Sequence, residues 1–180
     1  WSDGDNWVGD AAPPDDGTAD LVFDGSTRLT PDQDIDTNFN FHSLTFNAGA
    51  GAFVLDGTVD IDPPNNSFGH NRLEFDGTNP SITMNGANDI RIRGSVVSQT
   101  GTNTINVTGA GSLQIPWITG ASAQTVVKEG SGKLIIYEDA DAQNYASLAS
   151  NVAPRLQVDD GTVEIGTRSD RFVQSGTAWV

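Results

Sequence analysis

The densest grouping of potential ligands in the chain is Asp32-Gln33-Asp34-Ile35-Asp36-Thr37-Asn38. On an extended backbone successive side chains alternate between faces, so Asp32, Asp34, Asp36 and the Asn38 amide would line one side. Hard cations such as Ca²⁺ take about six to eight oxygen ligands, which makes this row the candidate calcium site. The EF-hand glycine and its distal bidentate glutamate are absent, so a polar outer face stands as the alternative to a bound ion. Asp3, Asp5, Asp10, Asp15, Asp16 and Asp20 lie on a Gly/Pro-rich stretch that could also fold around an ion or simply be solvated.

Other chemistry is poorly served. The histidines, in Phe41-His42-Ser43 and Gly69-His70-Asn71, belong to no H-x-x-x-H or H-E-x-x-H pattern and read as surface or turn residues. No serine sits in a G-x-S-x-G elbow. Glycosidase or lyase chemistry needs paired groups on a groove, and aspartate is too common here to single out a pair. Cysteine is absent, which removes disulfides, thiolate metal sites and cysteine nucleophiles together. No catalytic residue is expected. Trp1, Trp7, Trp117 and Trp179 stand near the termini and an irregular stretch, where they suit end capping, subunit contact or carbohydrate stacking.

The elements that would position these groups are short strands. Apolar residues alternate at Leu21/Phe23, Leu44/Phe46, Phe53/Leu55, Val59/Ile61, Leu73/Phe75, Ile82/Met84, Ile90/Ile92, Ile105/Val107, Leu113/Ile115, Leu134/Ile136, Leu156/Val158 and Val163/Ile165. Asp-Gly turns recur as Asp16-Gly17-Thr18, Asp24-Gly25-Ser26, Asp56-Gly57-Thr58, Asp76-Gly77-Thr78 and Asp160-Gly161-Thr162. Glycine supplies positive φ there, and the aspartate accepts from nearby N–H groups. Two series step by roughly 20–23 residues: Val59/Ile61 to Ile82/Met84 to Ile105/Val107, and Ile90/Ile92 to Leu113/Ile115 to Leu134/Ile136 to Leu156/Val158. That period predicts an all-β parallel solenoid; an antiparallel β-sandwich, with turns every 8–12 residues or so, is the alternative. The 180 residues fit one domain, 1–180, with an acidic lead-in over 1–20 and an apolar last strand over 171–180. The Ala-rich 139–150 stretch alone reads as helical.

Val127-Lys128-Glu129-Gly130-Ser131-Gly132-Lys133-Leu134-Ile135-Ile136, then Asn144-Tyr145, then Gly161-Thr162-Val163, resembles the autotransporter-associated β-strand repeat. There a K-x-G-x-G-x-L-x-L strand is followed by an Asn-Tyr turn and a G-T-L strand. Asp5-Asn6-Trp7, Pro13-Pro14, Asp20 and Phe23 are similar to the stretch that often precedes such repeats in secreted bacterial surface proteins, although Thr18-Ala19-Asp20 departs from its order. The resemblance implies a right-handed parallel β-helix, export from a bacterial cell, and a passenger-like role at or outside the surface.

Charge narrows the partners. The net charge is −15, and thirteen of 24 acidic residues fall between Asp3 and Asp62, where Arg28 is the only base. Phosphate binding needs a basic footprint, so nucleic acid is disfavoured. The apolar runs are far shorter than the roughly 20 residues that span a bilayer. Trp1 with no preceding Met suggests a processed secreted product or a fragment. Asn65-Asn66-Ser67 and Asn106-Val107-Thr108 form sequons that permit glycosylation in a eukaryotic secretory route and are chance matches in a bacterial protein. The expected function is thus an extracellular structural protein. It would assemble head to tail with copies of itself or act as an adhesin passenger, with Trp1, Trp7, Phe172, Val173, Trp179 and Val180 as the subunit contacts. A calcium-dependent, glycan-binding or glycan-cleaving module on the same scaffold is the alternative, and host or matrix surfaces are further partners.

Overall fold

The computed structural model describes residues 1–36, 38–57, 60–62, 67–69, 71–94, 96–98, 101–116, 118–120, 124–137, 155–166, 171–175 and 178–179. His70, Trp117, Asn144, Tyr145, Val180 and the expected helix over 139–150 lie outside these residues.

The chain winds through successive coils of short strands. The first holds β1 (Asp20–Phe23), β2 (Asp32–Gln33) and β3 (Asn38–Phe41). The second holds β4 (Ser43–Phe46) and β5 (Val54–Gly57), then a hairpin of β6 (Asp60–Asp62) and β7 (Ser67–Gly69), then β8 (Arg72–Phe75). β9 (Ser81–Met84), β10 (Ile90–Ile92) and β11 (Val96–Ser98) form the third coil, and β12 (Thr102–Val107), β13 (Ser112–Ile115) and β14 (Ile118–Gly120) the fourth. β15 (Thr125–Glu129) and β16 (Lys133–Tyr137) belong to the fifth, β17 (Arg155–Val158) and β18 (Thr162–Gly166) to the sixth, and β19 (Arg171–Ser175) and β20 (Ala178–Trp179) follow.

Like strands of successive coils stack in parallel. The first sheet runs β1-β4-β9-β12-β15-β17, the second β2-β5-β10-β13-β16-β18 and the third β3-β8-β11-β14. The chain is a parallel β-helix. Among the described residues antiparallel pairing is confined to the β6–β7 hairpin and to β19 and β20, the last strands of the second and first sheets.

Alternation explains why these residues form these strands. Leu21, Leu44, Ile82 and Ile105 stack in one inward column and Phe23, Phe46, Met84 and Val107 in the next. Ile90, Leu113, Leu134 and Val163 line the second sheet, all 0–1 % exposed. Between the sheets Phe23, Phe46 and Phe53 gather with ring centroids 5.4–6.2 Å apart. Coils approach closely where corners stack: a Cβ on Gly109 would lie 1.8 Å from the Gly86 carbonyl oxygen, so no larger residue fits.

The regular step between coils is 23 residues, as in Leu73↔Val96, Ser81↔Thr104 and Thr102↔Thr125. Both expected series need a correction. Ile82 stacks on Leu44, while Ile61 belongs to the inserted hairpin. Leu134 is followed by Val163, and Leu156 stacks on Val126 in the first sheet. In each case extra residues between strands shift the count without disturbing the stack. Asp56-Gly57 is likewise strand and not turn. The other Asp-Gly corners hold, with Gly25, Gly77 and Gly161 at positive φ and each amide donating to the preceding aspartate.

Candidate interaction site at the N-terminal end

A solenoid exposes its core at each end unless something covers it. Trp1 does so at the first coil. It is 6 % exposed and packs on Trp7, Phe23 and Phe39 with centroids at 5.9, 5.8 and 5.3 Å. Such aromatic contacts contribute about 0.5–1.5 kcal/mol each beyond area burial. The Trp7 Nε1–H donates to the Trp1 carbonyl at 2.9 Å, locking the two indoles together.

The aspartate run positions this cap instead of forming one strand face. β2 ends at Gln33, which is buried and turns the chain inward, its side-chain carbonyl accepting from the Ile35 and Asp36 amides. Asp34 therefore points to the chain start. Its carboxylate accepts from the Trp1 amino nitrogen at 2.5 Å and from the Ser2 amide and hydroxyl at 2.7 Å each. These donors, the Trp1 amino group foremost, hold its carboxyl well below the usual carboxylate range. Asp36 accepts from the Asn38 amide at 3.4 Å, and the Asp32 carbonyl takes the Trp1 nitrogen at 2.8 Å. Among the described residues no group of three or more His, Asp or Glu converges to hold a metal ion.

The same segment treats the three strand edges of the first coil differently. In a strand, alternate residues direct N–H and C=O to opposite sides. On β2 the outward carbonyl of Asp32 is occupied by Trp1, and on β3 the outward amide of Asn40 donates to Asp15 at 2.6 Å. On β1 the Ala19 and Phe23 carbonyls accept from the second coil, which turns the backbone groups of Asp20 and Val22 away from the stack. No strand pairs with that side among the described residues. Val22 is 57 % exposed, and a groove of about 750 Å³ runs past it. Trp7, Val8, Asp24, Arg28 and Asp32 contribute to its walls. Arg28 adopts φ 51° and donates to the Asn6 side-chain oxygen at 2.5 Å. At the opposite end of the solenoid β20 and β19 cover β17 and β18. Phe172 and Val173 lie in β19 and Trp179 in β20, so their backbones pair within the chain.

Two further polar groups are built into the stack. His42 bonds Asp20 through Nδ1 at 2.8 Å and the Thr78 carbonyl through Nε2 at 3.1 Å. The Asp20 contact, then the Thr78 carbonyl, raises the His42 pKa above 6.5. Asp20 is lowered below 3.8 by the Ser43 hydroxyl first and by His42 next. The histidine's contribution to stability is complete below pH 6.5 and is lost as pH rises through the raised value, whereas that of Asp20 is lost as pH falls through its lowered one. The melting-point difference between the native chain and His42→Gln is accordingly expected to be larger near about pH 5.5 than near about pH 8.5, as circular dichroism would record.

Lys128 occupies an inward column, between Ile105 and Val158, with 0 % exposure. Its Nζ reaches the corner and donates to the carbonyls of Glu129, Gly130 and Asp160 at 2.6, 2.6 and 3.2 Å. Burial lowers its pKa, against the opposing pull of the Asp160 and Glu129 charges. The lysine thereby fastens the fifth corner to the sixth, a role that sequence spacing alone did not disclose, although Lys128-x-Gly130-x-Gly132 marks the spot.

The fold and this end together define a parallel β-helix with a tryptophan cap and an unpaired β1 edge beside it. No family model matches the chain, and neither does any curated protein or solved structure. No helix among the described residues is long and apolar enough to cross a membrane.

Proposed function

We propose that this chain is a non-enzymatic, extracellular structural module of the adhesin-passenger type, a stiff spacer that carries an interaction site at its N-terminal end. The observation that carries this reading is the asymmetry of the two ends. Antiparallel strands β19 and β20 blunt one end of both long sheets, while the other end keeps one edge and one groove open. Blunted edges are how β proteins avoid indiscriminate edge-to-edge growth. The resemblance of the Lys128 to Val163 region to repeats of exported bacterial passengers supports the extracellular placement, and the net charge of −15 suits a solvated, non-aggregating surface.

Head-to-tail assembly is the competing reading of the same scaffold, because β20 and β1 are the two outer strands of one sheet. Light scattering over a wide concentration range, with negative-stain electron microscopy of the same samples, separates the two. Isolated monomers are the expected result. Fibres that lengthen with concentration would overturn the spacer reading in favour of a homopolymer.

A further inference from the structure

We infer that the outer edge of β1 is a strand-addition site for an extended, basic segment of a partner protein. The inference deepens the reading of this chain as an adhesive module and rests on it in part.

The first observation is the exception that β1 makes. The cap engages the outward carbonyl of Asp32 on β2 through the Trp1 nitrogen and the outward amide of Asn40 on β3 through Asp15, and at the far end β20 and β19 pair with β17 and β18. A groove flanks β1, and Val22 presents both an exposed side chain and an unpaired side of the backbone there. An unpaired parallel edge is a template for another strand, since main-chain bonds give affinity and alternate side-chain pockets give selectivity. The groove provides such a pocket, lined by Trp7, the fully exposed Val8 and Val22. Trp1 also lines the groove, and its buried Nε1–H has no acceptor.

Charge decides the occupant. Asp20, Asp24 and Asp32 line the groove, where Arg28 is the only basic side chain and donates to Asn6, and the Trp1 amino group is held by Asp34. Asp20 and Asp24 remain ionised because hydrogen bonds from Ser43 and Asn47, respectively, hold their carboxyls below the usual range. A second copy offering its own β1 would set Asp20 and Asp24 against like charges, which cross-strand pairing disfavours. A segment with alternating β-branched residues flanked by lysine or arginine meets both the edge and the rim.

The test uses the whole chain and the synthetic hexapeptide Ac-KTVTVK-NH₂, followed by tryptophan fluorescence. Saturable binding is expected. It should weaken about tenfold in Val22→Pro, which removes an outward N–H without breaking a bond to β4. Raising NaCl to about 0.5 M should weaken it as well. A peptide with both lysines replaced by glutamate, or with its four inner amides N-methylated, should not bind. Equal binding by the N-methylated peptide would overturn the inference whatever Val22→Pro does to folding. So would failure of the lysine peptide to bind, or saturable binding of neutral oligosaccharides that Val22→Pro leaves unchanged. A monomeric chain that ignores the peptide removes this inference alone, whereas fibres that still bind it remove only the spacer reading.

Discussion

Truncating Phe46 to alanine should cost about 3–5 kcal/mol, the range for emptying a fully buried aromatic site. Phe46 is 0 % exposed and sits between Phe23 below and Met84 above. Its ring stacks on Phe23 at a 27° interplanar angle and meets Phe53 at 6.2 Å. Hydrogen-bonded coils on either side fix the backbone spacing, so the cavity cannot collapse. In a solenoid each coil is stabilised chiefly by its neighbours. Loss of Phe46 should therefore separate the first coil and its tryptophan cap from the rest. Urea unfolding followed by both tryptophan emission and circular dichroism is expected to show the two signals parting in Phe46→Ala and coinciding in the native chain. Coincident transitions at an unchanged midpoint would disprove this account of the core.

Lys128→Met should have the second largest effect. Methionine keeps most of the buried stem but strips the donor from three carbonyls, and each one left dry costs about 1–3 kcal/mol. The corner leaves little room for water to replace it. Gly161 adopts φ 78°, and a Cβ there would lie 2.4 Å from the Gly130 carbonyl oxygen and 3.0 Å from Nζ. A loss of about 3 kcal/mol is expected from chemical denaturation. Hydrogen exchange should locate it in β15, β17 and β18, with β4 and β9 unaffected. A methionine variant as stable as the native chain would show that Nζ merely occupies a corner that needs no tie.

The parallel helix was legible because inward and outward residues alternate so regularly. Leu44, Ile82 and Ile105 or Ile90, Leu113 and Leu134 announce their columns through spacing alone. Spacing misled only where coils carry extra chain. Ile61 and Leu156 mimic the periodic residues, and nothing local distinguishes an inserted apolar pair from a stacked one. The aspartate run shows a different limit. Alternation would put Asp32, Asp34 and Asp36 on one face, but Gln33 breaks the strand by bonding the next two amides, and Asp34 then finds donors more than thirty positions away. Trp1 and Trp7 were legible as end-capping residues, and they pack over the chain's own first coil. The uncovered edge of β1 was beyond sequence reasoning altogether, because it is defined by what Trp1 and Asp15 do to β2 and β3.

Among the described residues the third sheet holds four strands, and the β6–β7 hairpin follows β5 of the second sheet and precedes β8 of the third. That flank absorbs a change of length which the stacking of Leu44 on Ile82 does not register. An epitope or reporter domain grafted between β6 and β7 would inherit that tolerance. It would be displayed laterally, with the column from Leu21 to Ile105 left undisturbed.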